Sequence, residues 1–262
     1  MNATLARLIV YPIKSFDGWE RDSSRFLPSG ALELDRRFAL FDEAGKVFNA
    51  KRSAAIQAIR TRYEFAPNGM LKVFVSTADQ ASETSFILPV DSEPFAQAIS
   101  KLLGTSLQLR DNPTTGFPDD LEANGPTIVS LATLQAVGDW FGFDADEAVR
   151  RFRANLMIEN DRPFDDDQLY GPQGQPRTFR VGNVILEGVN PCQRCAVPAR
   201  DSQWGVPTTG FQKEFARLRE QTLPTEAARD QFNHFYRLAV NTRRPETTSS
   251  PLISVGDRIE LV

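Results

Sequence analysis

Apolar residues in this chain fall mostly in short runs with strand-like alternation, separated by turn residues rather than by long helical stretches. Leu8-Ile9-Val10-Tyr11-Pro12-Ile13 is β-branched and aromatic, and it stops at Lys14-Ser15-Phe16-Asp17-Gly18. Residues 32–41 read as a strand interrupted by Asp35-Arg36-Arg37, followed by a turn at 42–46 and a hairpin partner at Val47-Phe48. Adjacent side chains on a strand point to opposite faces, so one of Arg36 and Arg37 is expected to face inward, toward an acid or a bound anion. Residues 53–61 fit either a short helix or the start of a strand. Alternation over 62–74, broken at Pro67-Asn68-Gly69, predicts a second hairpin, and 85–90 a further strand. Residues 94–103 have helical spacing, with Phe95, Ile99, Leu102 and Leu103 on one face. The first hundred residues thus predict a small barrel-like or sandwich unit.

The second part mixes helices with strands. Residues 110–125 are rich in Asp, Asn, Pro and Gly and predict a long loop. Ser130 is placed to cap a helix over 131–137, and a second helix is expected over 144–152. The chain then passes into a strand over 153–158. Arg153 and Asn155, two apart, are expected on one face of it, where they can hold a planar polar ligand or fix a loop. Asp165-Asp166-Asp167 lacks the alternating oxygen spacing of a calcium loop and reads as a solvated turn. A hairpin over 179–186, a helix over 211–221, a strand over 235–240 and an alternating run over 253–262 complete the chain, the last expected in the second sheet. The fold class is therefore mainly β with α (α+β). Two domains are expected, 1–95 and 96–262, sharing an interface of the kind that often forms a cofactor pocket.

Composition narrows the function. With 262 residues, 41% hydrophobic and 24% charged, the chain is of ordinary globular type, and no apolar run is long enough to cross a bilayer. The N-terminus lacks a signal-peptide layout, so the expected location is cytoplasmic, with no membrane association. A net charge of -4 argues against general nucleic-acid binding while leaving room for a local basic pocket. Two cysteines make no disulfide framework, and one histidine, His234, excludes most histidine-rich metal sites.

Both cysteines lie in Gly188-Val189-Asn190-Pro191-Cys192-Gln193-Arg194-Cys195-Ala196-Val197-Pro198-Ala199-Arg200-Asp201, on what reads as a loop after an apolar strand. Four readings compete. A redox dithiol ordinarily begins a helix, which Pro198 and the polar run after it disfavour. Structural zinc needs two more soft ligands. Acyl chemistry has only His234 as base. The fourth is one thiolate on a metal whose other ligands come from a cofactor, with Arg194 helping to neutralise an anionic group. Lys14 and Ser15, following a strand, offer an ammonium, a hydroxyl and N–H groups to an anion or form a solvated turn.

Several segments, taken together in order and spacing, resemble a known family. They are Tyr11-Pro12-Ile13-Lys14-Ser15, Asp35-Arg36-Arg37-Phe38, Gly116-Phe117-Pro118-Asp119, Arg153-x-Asn155, Pro163-Phe164-x-Asp166, Cys192-x-Arg194-Cys195 with Asp201, and Val255-Gly256-Asp257-x-Ile259. The family is the MOSC proteins, named for the C-terminal domain of molybdenum-cofactor sulfurase. The similarity is to the branch with an N-terminal β-barrel domain that includes the mitochondrial amidoxime-reducing component. The resemblance implies an N-terminal β-barrel-like domain packed on a MOSC-type β-barrel domain with peripheral helices. It implies a molybdenum centre held by molybdopterin and by one protein thiolate, at the position of Cys195, with Cys192 in support. Cofactor contacts are implied at Lys14, Ser15, Arg36, Arg153 and Asn155, and pyridoxal phosphate binding is a further term the resemblance brings.

The implied activity is reduction of small N-hydroxylated substrates by oxygen transfer to the Cys-ligated metal, with Asp201 as a candidate for handling protons. The alternative is a molybdenum-cofactor or reactive-sulfur carrier without turnover. The chain departs from the family pattern at Ala154, often a proline, and at Phe235-Tyr236-Arg237, where a glycine-containing turn is common. It ends at Val262 without a ferredoxin domain, so a separate electron donor of cytochrome b5 or ferredoxin type, with its reductase, is expected.

Overall fold

The computed structural model describes residues 3–245 and 249–262. Its strands and helices in chain order are β1 (Ala3–Val10), β2 (Trp19–Arg21), β3 (Ser23–Arg25), β4 (Phe38–Asp42), β5 (Val47–Phe48), β6 (Ile59–Phe65), β7 (Leu71–Thr77), β8 (Gln80–Leu88), α1 (Ser92–Leu103) and β9 (Leu107–Asp111). There follow β10 (Ile128–Ser130), α2 (Leu131–Phe141), α3 (Ala145–Phe152), β11 (Leu156–Glu159), β12 (Arg177–Val181), β13 (Val184–Gln193), α4 (Phe211–Gln221), β14 (Arg237–Arg243), β15 (Leu252–Ser254) and β16 (Arg258–Leu261). Mixed α+β architecture with a β-rich N-terminal part is thus observed.

Seven strands close a barrel in the order β11-β10-β14-β13-β12-β16-β1, with β1 pairing back onto β11 and β2 added at its edge. Strands from both ends of the chain meet here, since β1 lies between β16 and β11. Leu5, Leu8, Leu156, Leu186 and Val240 belong to the barrel core. A second cluster, with Val137, Phe152, Phe211 and Phe215, fastens the helices outside. A third joins β4-β5-β9, β6-β7-β8 and α1 through Phe16, Phe38, Val73, Phe95 and Ile99. These clusters account for the alternation: apolar side chains at every second strand position remove one face from water. The helix starts follow local chemistry. The Ser130 hydroxyl accepts the Thr133 N–H at 3.0 Å, and the Asp144 carboxylate accepts the Glu147 N–H at 2.6 Å.

Five local expectations differ from the structure. Residues 32–37 are not a strand, because Leu34 and Arg36 adopt left-handed φ and the Asp35 carboxylate turns back to accept the Tyr11 N–H at 2.9 Å. Leu102 of α1 is exposed; Phe95, Ala96 and Ile99 are the buried positions. Arg153 and Asn155 do not share a strand face: Arg153 is the left-handed C-cap of α3, and β11 starts at Leu156. The three acids are not a solvated turn. They form a 3-10 turn in which Asp166 is 2% exposed and Asp167 is 5% exposed, with Asp167 paired to Arg219. Finally, β13 continues through the expected loop to Gln193, with register shifts at Gly188/Asn190 and Pro191/Gln193. Such bulges bend a strand and re-aim its side chains. Gly188 is required there, because a Cβ would stand 1.9 Å from the Leu169 carbonyl oxygen.

Candidate functional site

β1 ends at Val10, and the following turn carries Lys14 and Ser15 past β4, with the Lys14 N–H donating to the Phe38 carbonyl at 2.8 Å. This turn forms one wall of a cavity of about 1110 Å³. The bulged end of β13, with the residues just after it, forms another and presents Cys192, Arg194 and Cys195 to the same space. Arg36 and Arg153 also line it. Thus seven of the nine candidate residues from the sequence share one cavity: Lys14, Ser15, Arg36, Arg153, Cys192, Arg194 and Cys195.

Backbone geometry marks the same place. Among the described residues six non-glycine positions have positive φ, and three of them are Ser15, Arg36 and Arg153. A left-handed conformation costs an L-residue roughly 1–2 kcal/mol, and such residues persist where surrounding contacts over-determine them. Here the contacts are specific. The Ser15 hydroxyl accepts the Ala50 N–H at 3.1 Å, and the Arg36 N–H donates to the Tyr11 carbonyl at 2.7 Å. The Arg153 guanidinium donates to the Phe16 carbonyl at 2.7 Å and lies 4.1 Å from the centroid of the Tyr11 ring. Arg37, the neighbour of Arg36, turns outward and pairs with Asp111 through two N–H groups. One arginine in and one out is the expected division, although a turn produces it rather than a strand.

The remaining two candidates stand apart. Asn155 is 1% exposed and does not line the cavity. Its amide nitrogen donates to the Ile9 carbonyl at 3.0 Å and to Asp35 at 2.9 Å, while its oxygen accepts from Thr127. It braces Asp35, which in turn holds Arg36. Asp201 accepts backbone N–H groups from Gln203, Trp204 and Val206, shaping its own loop, and is likewise outside the cavity lining. His234 is not in the lining either; its Nδ1 accepts the Tyr236 N–H. The element directly after the cysteines is a short 3-10 turn, Val197–Ala199.

Charge inside the cavity is predominantly positive on this wall. Lys14 is 8% exposed, and burial lowers its pKa against the opposing pull of Asp119. Its ammonium donates to the Phe117 carbonyl at 2.7 Å and to the Asp119 carboxylate at 2.9 Å. Lys51 reaches the same oxygen at 3.1 Å. Burial works against ionisation of Asp119, but Lys14, then Lys51 and Arg36, hold it well below the carboxylate range. Burial likewise lowers the pKa of Arg153, which makes no ion pair with a carboxylate among the described residues. Burial pushes the Tyr11 phenol up to about 12, with Arg153 and Arg36 opposing.

The two thiols differ. Arg194 donates to the Cys192 sulfur at 3.2 Å and to the Phe152 carbonyl, whereas Cys195 makes no hydrogen bond through its sulfur among the described residues. Arg60, Arg194 and Arg237 each keep a buried Nε without a protein hydrogen-bond partner. No three His, Cys, Asp or Glu side chains converge as metal ligands among the described residues. A metal in this cavity would therefore take most of its ligands from elsewhere than the protein. Lys51, Asp35 and Asp119 were not assigned roles from sequence, although Asp35 and Asp119 lie within motifs that the sequence did single out. None of the described helices is long and apolar enough to cross a membrane.

Comparison with known proteins gives matches along nearly the whole chain. The MOSC N-terminal beta barrel domain matches residues 2–141, and the MOSC domain matches residues 127–260. The molybdenum cofactor sulfurase of Drosophila grimshawi is 25% identical over 219 residues, covering 73% of this chain and 27% of that protein. Its Drosophila melanogaster counterpart is 25% identical over 216 residues, with the same coverage. The chain thus spans about a quarter of the length of these curated relatives. Among solved structures, a hypothetical protein aligns with a TM-score of 0.41 at 11% identity, over 100% of this chain and 69% of its own. YiiM from Geobacillus stearothermophilus aligns with a TM-score of 0.31 at 14% identity, over 53% of this chain and 54% of its own.

Proposed function

This chain belongs to the MOSC-domain proteins that carry a MOSC N-terminal β-barrel domain, and from that premise we propose that its cavity holds a molybdopterin-type molybdenum cofactor and reduces N-hydroxylated substrates such as amidoximes and hydroxylamines. Membership is consistent with a role in molybdenum-cofactor chemistry in general; the substrate class is our reading. The observation that carries it is the meeting of two thiols with a strained cationic cradle on the walls of one cavity.

The residues present suit such a group. A phosphate needs an ammonium, a guanidinium and short donors, and Lys14, Arg36 and Ser15 offer these side by side along the lining. Arg153 and Arg194 add positive charge, and the buried Nε of Arg194 is available as a donor. Asn155 acts one step back by fixing Asp35. Cys195 is the metal ligand in this reading because its sulfur is not engaged, while Cys192 is held by Arg194. When bound, the cofactor supplies a metal that serves as Lewis acid and two-electron carrier. The protein's own work is to hold the anionic end, orient the group toward Cys195 and shield the cavity from bulk water. Electrons come from a separate donor of cytochrome b5 or ferredoxin type. Asp201 is a loop organiser in this scheme, since its oxygens already accept three N–H groups.

The test is metal and pterin analysis of protein from a molybdopterin-competent host, with amidoxime reduction assayed using such donors. Cys195→Ala is expected to lose metal and activity, and Cys192→Ala to retain metal. Absence of both molybdenum and pterin from the wild type, with Cys195→Ala behaving identically, sinks the reading. A second reading, a carrier of cofactor or reactive sulfur, draws on the name of the curated relatives and on the Arg194–Cys192 contact. Its signature is a reductant-removable sulfur on either cysteine without turnover.

A further inference from the structure

The cations assigned to an anion are already in contact with one. Lys14 donates to two acceptors, the Phe117 carbonyl and the Asp119 carboxylate, and both belong to the same segment. Lys51 reaches Asp119 from the other side at 3.1 Å, and Arg36 contributes to the field that holds this carboxylate charged. A carboxylate between two ammonium groups has the charge-assisted geometry of a bound phosphate oxygen.

The segment carrying Asp119 is anchored at its ends, and between them only Ala123 is buried. On one side the Phe117 N–H donates to the Arg36 carbonyl at 2.8 Å, and the Phe117 ring packs edge-on against Phe41. Gly116 permits this approach, since a Cβ would lie 2.6 Å from the Asp35 carbonyl oxygen. On the other side the Gly125 N–H donates to the Thr242 carbonyl at 2.9 Å, and the Asn124 amide donates to Ser29. Over residues 118–123, the hydrogen-bonding and ionic ties to the rest of the described protein run through Asp119 alone. The carboxylate of Asp120 caps N–H groups within its own turn, and Leu121 is 83% exposed. These residues line the cavity.

We infer that Asp119 is an internal anion that latches residues 118–123 over the phosphate subsite, and that a phosphate-bearing ligand exchanges with it at Lys14 and Lys51, releasing this flap. The inference rests on the reading that Lys14 belongs to an anion subsite. It adds that the subsite is gated by competition between the ligand and the protein's own carboxylate. The buried Lys14 ammonium keeps a counter-ion in both arrangements, which removes the cost of stranding a charge during the exchange.

The probe is inorganic pyrophosphate, titrated calorimetrically into the full chain produced in a host without molybdopterin synthesis. Limited proteolysis is followed over residues 118–123. Asp119→Asn is expected to bind pyrophosphate about fivefold to tenfold tighter than wild type. It is also expected to be cleaved quickly in the flap without the probe, whereas wild type is cleaved quickly only with the probe. Lys14→Ala is expected to bind at least tenfold more weakly. If Lys14→Ala binds as wild type does, the anion-subsite reading fails. If Lys14→Ala is weak but Asp119→Asn binds no tighter and keeps a protected flap, that reading stands and the latch is overturned.

Discussion

Arg219→Met tests the buried charge behind the barrel. Arg219 is 1% exposed, lies in α4, and pairs with Asp167 at 2.5 Å between the rings of Phe164 and Phe232. Two of its nitrogens, Nε and Nη1, have no protein hydrogen-bond partner, so the pair is incompletely satisfied. Methionine fills most of the volume but leaves the Asp167 carboxylate buried and unpaired, and removing one partner of a buried pair costs about 3–5 kcal/mol. For a chain of this size that corresponds to a drop of roughly 10 °C in Tm. The assay is urea denaturation at pH 8 and at pH 5. Burial already raises Asp167 despite the opposing guanidinium, and loss of Arg219 removes its main opposing charge. The variant's carboxyl therefore takes up a proton more readily, and its deficit shrinks on acidification. Asp167→Asn combined with Arg219→Met removes both charges and is expected to cost less than Arg219→Met alone. A loss under about 1 kcal/mol at pH 8, or a deficit equal at the two pH values, refutes the argument.

Asp166 is pushed up to about 6 by burial and then by the Asp167 charge. The native state thus holds a proton that the unfolded chain has released between pH 4 and 6, so the group's effect is least harmful below that window and stability is lost as pH rises through it. Compared with Asp166→Asn, wild type is expected to lose roughly 2 kcal/mol between pH 4 and pH 7; equal pH profiles of denaturation free energy exclude this. Gly188→Ala places a methyl against the backbone of the 3-10 turn, 1.9 Å from the Leu169 carbonyl oxygen. It is expected to destabilise by more than about 3 kcal/mol in urea titrations, and a change below about 1 kcal/mol contradicts the reading. Of the two helix caps, Asp144→Ala is expected to cost about 1 kcal/mol. Ser130→Ala is expected to cost about 2 kcal/mol, because the buried Ser130 hydroxyl also donates to the Thr133 hydroxyl, which donates to Asp166. Equal costs in thermal denaturation count against the relay.

The legible parts of the fold were those set by local chemistry. The hairpin β6–β7 follows from Pro67-Asn68-Gly69, α2 from its Ser130 cap, and the inward and outward arginines from their adjacency. What could not be read were relations between distant segments. Nothing in residues 3–10 says that β1 pairs with β11 and β16. Asp166 and Asp167 read as solvated because their partners, Thr133 and Arg219, lie 33 and 52 residues away. The strand-face expectation for Arg153 and Asn155 failed because a helix C-cap in left-handed geometry is usually glycine, and arginine there carries no local signal. Of the candidate site, the residue types were visible, but the division of labour was not. Asn155 reads as a ligand by its chemistry and acts as a brace by its hydrogen bonds.

That division follows from how the cavity is built. Its thiols lie at the end of a barrel strand and just beyond it, its ammonium on the turn after another barrel strand, and its inward guanidinium on a turn leading into the N-terminal sheet. Asp35 joins two of these elements, the segment after β1 and the turn of Arg36, to the residue before β11. Its carboxylate accepts from Tyr11 at the end of β1, from Asn155 just before β11 and from Arg36. Tyr11 then carries the Arg153 guanidinium on its ring and donates its hydroxyl to the Ala154 carbonyl. Closing the barrel between β1 and β11 therefore also sets the position of two of its cations. Left-handed Arg36 and Arg153 are each tied to the segment after β1, Arg36 through the Tyr11 carbonyl and Arg153 through the Tyr11 ring and the Phe16 carbonyl. The cationic cradle is in this sense a product of the barrel's seam, and the bulges in β13 bring the thiols round to meet it.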